Sequence, residues 1–232
     1  MKIEALLDAE SAARRAAELI ASDARAAVEA RGRFAFAVSG GHTPWQMLRA
    51  LADEDVPWQA VHLFQVDERV APAGHPDRNL THIGESLLGR VPLPPGHLHA
   101  MPVEEPDLEA AAARYARELA GVVGTSAVLD LVHLGLGPDG HTASLVPGDP
   151  VLAVRGADVA PTGVYQGRRR ITLTYPVLHR ARRIVWLVTG AEKAGMLVRL
   201  RAGDPSIPAG QVRQDRALLI ADRAAAAPPG AT

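Results

Sequence analysis

Six short runs of consecutive apolar residues punctuate the chain, at 34–38, 61–66, 129–134, 171–174, 184–188 and 217–220, with a weaker seventh at 98–101. Their hydrophobicity is continuous rather than alternating, which is the pattern of strands covered on both faces. Between them lie stretches rich in alanine and arginine with apolar positions at helical spacing, most plainly at 8–30, 44–51, 108–123 and 191–201. Strands alternating with helices predict an α/β sandwich around a mostly parallel sheet. No internal repeat interrupts the order. The Pro- and Gly-rich stretch 91–96 reads as a surface connection, because strands and helices alternate on both sides of it. The expectation is one α/β domain over residues 1–223, with 224–232 as a frayed, disordered tail.

The polar positions carry more information than the apolar ones. Four of the apolar runs are each followed at once by a cluster of Gly, His, Asp, Arg or Lys, at 39–43, 67–69, 135–144 and 189–193. In an open parallel sheet the carboxyl ends of the strands share one edge, and ligands bind in the crevice there. Four clusters distant in sequence are therefore expected to converge on one site. Loops scattered by chance would put about half of them at the other edge.

Composition then removes whole classes of function. With 232 residues, 47% hydrophobic and 22% charged, the chain can bury a full core without staples. It has no cysteine, so disulfides, thiolate metal sites and cysteine nucleophiles are excluded. A net charge of −1 gives no general attraction to nucleic acid or to an anionic membrane. Asp8, Glu10, Arg14, Arg15 and Glu18 interrupt any leader-like apolar core, and no 18-residue apolar run occurs. The chain reads as cytoplasmic, acting on a small molecule with no membrane or nucleic-acid partner, as a monomer or small homo-oligomer.

In the first cluster, Ser39-Gly40-Gly41-His42-Thr43-Pro44 joins a strand to a helix. Thr43 suits the N-cap, Pro44 the first helical position, and Gln46 completes a capping-box spacing. Paired glycines let backbone approach a ligand, and free N–H groups at a helix start attract an anion, so phosphate is the natural guest. The same residues also make an ordinary tight turn with a good cap. The spacing is not that of a Walker A loop.

The second cluster, Asp67-Glu68-Arg69, ends a strand in three charges. Strand alternation sends Asp67 and Arg69 to one side and Glu68 to the other. Arg69 can grip a phosphate with two parallel hydrogen bonds, while Asp67 can orient Arg69 or assist proton transfer. A solvated strand end with a local ion pair is the plainer alternative.

The third cluster contains Gly135-Leu136-Gly137-Pro138-Asp139-Gly140, which matches G-x-G-x-x-G after a strand. A dinucleotide reading fails, because Asp139 would repel a pyrophosphate and Pro147-Gly148-Asp149-Pro150 leaves no room for a long helix. His141 follows in the same glycine-rich turn. An imidazole there can take a proton from water and return it to a leaving oxygen, with Asp139 holding the ring or tuning its charge. A structural histidine bonded to backbone is the alternative. No H-E-x-x-H occurs and His97-x-His99 lacks an obvious third ligand, so no metal is expected. In the fourth cluster Thr189 and Glu192 have capping-box spacing. Lys193 there opposes the helix dipole unless an anion binds beside it.

Taken together, these clusters resemble the 6-phosphogluconolactonase family, within the glucosamine-6-phosphate isomerase/6-phosphogluconolactonase superfamily. The match rests on Ser39-Gly40-Gly41-His42-Thr43-Pro44, Asp67-Glu68-Arg69-Val70 with His75 and Asn79, the run from Leu136 through Asp139, Gly140 and His141 to Leu145, Arg170-Ile171-Thr172-Leu173-Thr174, and Gly190-x-x-Lys193. It extends from about 34 to 221. The resemblance implies a three-layer α/β sandwich with a Rossmann-like sheet, shared with glucosamine-6-phosphate deaminases and ribose-5-phosphate isomerases. It also implies cofactor-free hydrolysis of a sugar-phosphate lactone, 6-phospho-D-glucono-1,5-lactone, as the second step of the oxidative pentose phosphate pathway. His141 would be the base. The loop of Ser39, Gly40, Gly41 and Thr43 would bind phosphate together with Arg69 and Lys193. Backbone N–H groups around Gly137 and Gly140, or a cationic side chain, are the candidates for holding an oxyanion. His42 departs from the serine frequent at its position in the family.

The rival is an aminosugar-6-phosphate deaminase. Such enzymes resemble this chain at Asp67, Asp139 and His141, but carry an aromatic residue where Arg69 stands and a glutamate where Val146 stands. A third reading, a sugar-phosphate sensor attached to a DNA-binding module, lacks a basic surface to support it.

Overall fold

The computed structural model describes residues 1–227. In chain order the strands are β1 (Lys2–Leu6), β2 (Phe34–Val38), β3 (Val61–Gln65), β4 (Asp67–Arg69), β5 (Leu98–His99), β6 (Leu131–Leu134), β7 (Val159–Pro161), β8 (Arg170–Leu173), β9 (Arg183–Val188) and β10 (Ala217–Asp222). The helices are α1 (Ala9–Arg31), α2 (His42–Leu51), α3 (Asn79–Ile83), α4 (Leu108–Val123), α5 (Tyr175–Arg180), α6 (Ala194–Arg201) and α7 (Arg223–Ala226).

Seven strands form one parallel sheet in the order β1-β10-β9-β6-β2-β3-β5. Alternation along each strand divides its side chains between two cores. On β9, Ile184, Trp186 and Val188 enter one core, while Val185 and Leu187 enter the other. On β2, Ala35 and Ala37 share the first core, and Phe34, Phe36 and Val38 the second. Both faces are buried, which explains the unbroken apolar runs. One face is covered by α1 and α2; α4 and α6 contribute to the core on the other. Helix α1 presents alanines at 12, 13, 16, 17, 21, 24 and 27 with Ile20, a smooth face that lets it lie close to its neighbours. Its N-cap is Asp8, whose carboxylate accepts from the Ser11 N–H at 2.7 Å.

The sheet departs from the expectation in one respect. The run at 171–174 does not join the parallel sheet: β8 pairs antiparallel with β4 and β7 in a separate three-stranded sheet. The chain leaves β3 at Val66, whose carbonyl accepts from the Leu173 N–H at 2.8 Å, and β4 then turns away to pair with β8. Residues 224–226, expected in the tail, are helical instead. The Asp222 carboxylate accepts from the Ala225 N–H at 2.7 Å and caps α7. Residues 228–232 lie outside the described part. Among the described residues no helix is long and apolar enough to cross a membrane.

The strand order reverses between β2 and β6. From β2 the sheet grows through β3 to β5 in one direction, and from β6 through β9 and β10 in the other. Connections leaving β2 and β6 diverge there and open a crevice at the carboxyl edge.

Candidate active site

That crevice holds a cavity of ≈560 Å³, lined by residues from all four polar clusters. Ser39, Gly40, Gly41, Thr43, Asp67, Arg69, Gly137, His141 and Lys193 all line it, whereas Asp139 and Gly140 stand just behind. Two parts of the lining differ in construction.

The first wall is made of backbone and cations. Gly41, at φ +124°, takes the N-cap position, and α2 begins at His42. The capping box expected of Thr43 and Gln46 does not form. The Thr43 hydroxyl instead pairs with the Thr189 hydroxyl at 2.7 Å, joining the loops after β2 and β9. The N–H groups of Gly40, Gly41 and His42 donate to no protein acceptor among the described residues. Gly40 has a steric reason to be glycine, because a Cβ there would lie 1.8 Å from Asn79 Oδ1. Asn79 is itself held by its Nδ2, which donates to the Asp67 carbonyl at 2.9 Å. The Ser39 hydroxyl points inward and donates to the His133 carbonyl at 3.0 Å, so it positions the loop. His133 is fully buried, and burial pushes its pKa down to about 3, leaving a neutral ring.

Arg69 and Glu68 divide as alternation predicts. Arg69 faces the cavity with its Nη1 on the Asp77 carbonyl at 2.8 Å, while Glu68 is fully buried behind it. Glu68 accepts from Gln65 Nε2 at 2.7 Å and from the N–H groups of Arg69, Asn79 and Leu80, each at 2.8 Å. In the adjoining loop after β9, Gly190 at φ +99° heads a 3₁₀ turn (Ala191–Lys193) that ends in Lys193. The capping box expected of Thr189 and Glu192 is absent here as well. The Gly190 N–H is instead held by both Asp222 carboxylate oxygens at 3.1 Å.

The second wall is made of side chains in mutual contact. His141 Nδ1 lies 2.5 Å from Asp139 Oδ1, which also accepts the His141 backbone N–H at 3.1 Å. The second oxygen of Asp139 accepts from the Tyr165 hydroxyl at 3.1 Å. Burial opposes ionisation of Asp139, but the His141 backbone and ring, with the Tyr165 hydroxyl, hold its pKa below the usual carboxylate value. A Cβ at Gly137 would stand 2.1 Å from His141 Nδ1, so only glycine leaves room for the ring.

The peptide groups expected to receive an oxyanion are already engaged. The Gly137 N–H donates to the His141 carbonyl at 2.8 Å, and the Gly140 N–H to the Gly137 carbonyl at 3.1 Å. These bonds build the turn that holds His141. What faces the cavity nearby is Arg170 at the start of β8, a residue the sequence reading matched to the family without giving it a role. Arg170 is buried, with Nη1 3.4 Å from Ser144 Oγ and Nη2 3.3 Å from Gln166 Oε1. Burial lowers its pKa, and the nearby Asp67 carboxylate opposes that shift. Asp67 does not contact Arg69 as expected. It accepts from Ser144 Oγ at 2.6 Å, so one hydroxyl bridges Asp67 to Arg170. Asn79, Gln166 and Tyr165 also escaped the sequence reading as site residues. Only the pairing of β4 with β8 brings Arg170 opposite Arg69, and that register is not written in either strand alone.

The glycine-rich match after β6 leads to no long helix; the next α-helix in the chain is α5. Among the described residues no group of three or more His, Cys, Asp or Glu side chains is arranged to hold a metal ion.

The profile of the family described as glucosamine-6-phosphate isomerases/6-phosphogluconolactonase matches residues 7–220. A Nostoc protein named 6-phosphogluconolactonase is 34% identical over 233 residues, covering 97% of each chain. The crystal structure of a 6-phosphogluconolactonase from Thermotoga maritima superposes with a TM-score of 0.84 at 28% identity, over 95% of this chain and 98% of that one. A structure described as a monomeric glucosamine-6-phosphate deaminase reaches a TM-score of 0.82 at 20% identity, over 97% of this chain and 99% of that one, and shows the shared fold alone. With strand order, cavity and motifs in agreement, the chain belongs to the glucosamine-6-phosphate isomerase/6-phosphogluconolactonase family.

Proposed function

We propose that the chain hydrolyses 6-phospho-D-glucono-1,5-lactone to 6-phospho-D-gluconate, with His141 as general base and no covalent intermediate. One observation carries the reading: one cavity holds a wall of N–H groups unpaired among the described residues, with cations, and beside it a histidine locked to a carboxylate. The first wall suits a phosphate, met by the Gly40–Gly41 backbone, Arg69 and Lys193. Holding the phosphate fixes the sugar and brings its carbonyl to His141.

Nδ1–H donating to Asp139 leaves the Nε2 lone pair of His141 free, the tautomer a base requires. His141 takes a proton from water as the oxygen attacks the lactone carbonyl carbon. The carbonyl electrons move onto oxygen, where Arg170 is the cation placed to stabilise them. As the tetrahedral centre collapses, the bond to the ring oxygen breaks and the imidazolium returns its proton to that oxygen. The new carboxylic acid then ionises, so each turnover releases one proton to solvent.

The aminosugar-phosphate reading needs a carboxylate at the position of Val146, which is apolar and buried here. The test offers fresh 6-phosphogluconolactone and glucosamine 6-phosphate separately, against the spontaneous background. Acid release from the first without ammonia from the second is expected; ammonia from the second would reverse the assignment.

A further inference from the structure

The hydroxyl of Tyr165 bonds to the oxygen of Asp139 that His141 does not use, and its surroundings hold it there. Tyr165 belongs to the tip of the β7–β8 hairpin. Its N–H and carbonyl bond to the carbonyl and N–H of Arg168, at 2.9 and 3.2 Å. The two residues between, Gln166 at φ +50° and Gly167 at φ +75°, both have positive φ, as in the tight hairpin turns that match strand twist. A glutamine at positive φ is uncommon, so the register of this turn is specifically maintained. Arg168 ties the tip to the segment after β4, with Nε 3.0 Å from Asp77 Oδ2. The Arg170 guanidinium lies 5.0 Å from the centre of the Tyr165 ring, and the His141 ring meets the same ring edge-on at 5.4 Å. The tyrosine is therefore fixed by backbone register, by a cation and by the catalytic ring.

Asp139 is held asymmetrically. Oδ1 accepts two donors from His141, and Oδ2 accepts only the Tyr165 hydroxyl. Its side chain is about one-third exposed, at 35%, so packing alone does not lock the carboxylate. Burial and then the hydrogen bond to Asp139 raise the pKa of Tyr165, so its proton stays in place as a donor.

We infer that Tyr165 is a positioning residue for catalysis: its hydroxyl fixes which oxygen Asp139 turns toward His141 and draws off part of the carboxylate charge. The inference rests on the reading of His141 as the base. The charged and titratable groups around this chain of contacts are Asp139 on the turn after β6, Arg170 on β8, and Asp67 and Arg69 on β4, with Asp77 beyond. Of these, only Asp139 bonds to the imidazole. Charge drawn from Asp139 weakens its grip on the protonated ring and favours the neutral base.

Tyr165→Phe keeps the ring and its packing and removes only the donor. It should lower kcat about 3–10-fold, the worth of one such hydrogen bond, with KM nearly unchanged. The acid limb of the kcat/KM profile should move to higher pH by about half a unit, because the undivided charge on Asp139 holds the imidazolium more strongly. In an Asp139→Ala background the same change should cost almost nothing further, since its effect passes through that carboxylate. A wild-type rate and acid limb in Tyr165→Phe would overturn the inference. So would an equal loss with and without Asp139, which marks a purely structural role. The underlying reading fails separately: if His141→Ala stays active the base assignment falls, whereas an inactive His141→Ala beside an unaltered Tyr165→Phe removes only the role of the tyrosine.

Discussion

The two walls of the cavity follow opposite rules for their polar groups. On the side of the glycine loop, proposed to hold phosphate, the N–H groups of Gly40, Gly41 and His42 have no protein partner among the described residues, and Lys193 closes a short turn at the rim. On the side of His141, the N–H groups of Gly137 and Gly140, both oxygens of Asp139 and the tyrosine hydroxyl are all engaged within the protein. A wall that binds an anion needs vacant donors, because each donor already satisfied has less to offer the ligand. A wall that moves a proton needs its base held in one tautomer and one orientation, and that takes a closed network. The contrast predicts that changes on the two sides will separate chemistry from binding.

The largest effect should come from the closed wall. His141→Ala is expected to lower kcat about 10²–10⁴-fold with the fold intact, and a folded variant turning over near the wild-type rate would remove the base assignment. Gly137→Ala sharpens the point without touching a functional side chain. Its Cβ would meet His141 Nδ1 at 2.1 Å, so the ring must leave Asp139, and a displacement of that size costs about 10²-fold in kcat. Normal kcat in that variant would mean that the geometry of the pair matters little.

On the open wall the loss should appear in affinity. Lys193→Ala is expected to weaken binding of both the phosphorylated lactone and 6-phosphogluconate about 10–100-fold, from roughly 1.5–3 kcal/mol per charge-assisted contact. Arg69→Lys should stay impaired, because a point charge cannot make two parallel bonds. Hydrolysis of gluconolactone, which has no phosphate, should change little in Lys193→Ala. Equal losses on both lactones would move Lys193 away from the phosphate.

The smallest effect concerns what lies beneath the open wall. His133 accepts the Ser39 N–H at 3.4 Å as a neutral ring, with a folded pKa near 3 against 6.5 for the free group. Because the folded pKa is depressed, the unfolded chain takes up a proton that the folded chain refuses as pH falls below 6.5. Stability is therefore lost between about pH 6.5 and 3, by at most about 1.4 kcal/mol per pH unit for this group. His62, pushed down to about 4 by burial and then by His97 and His99, acts in the same direction. Urea unfolding of His133→Gln from pH 7 to 4 should show a shallower acid slope than wild type; an identical slope would exclude the role.

The sequence disclosed the elements whose signal is carried by burial on both faces, and it missed those that depend on pairing. β2 and α4 lie where periodicity placed them, since each is specified by its own apolar residues. β1, with Lys2 and Glu4 at a sheet edge, and β4, made of three charged residues, carry no apolar run to read. The cap chemistry failed for a related reason. Thr43 has the right spacing for a local bond, but its hydroxyl finds Thr189, 146 positions away. In the site, residues that follow strands of the parallel sheet were legible because every such strand ends at the same edge. Arg170 was not, because it begins an antiparallel strand and reaches the crevice from the other direction.

The bridge from Asp67 through Ser144 to Arg170 bears on the end of the reaction rather than its start. Hydrolysis leaves a full carboxylate where the carbonyl stood, beside a buried guanidinium that would otherwise retain it. The Asp67 charge offsets Arg170; in the proposed reaction this would let the cation stabilise a transient oxyanion without trapping the permanent anion that follows. Asp67→Asn should consequently slow product dissociation, visible as tighter inhibition by 6-phosphogluconate.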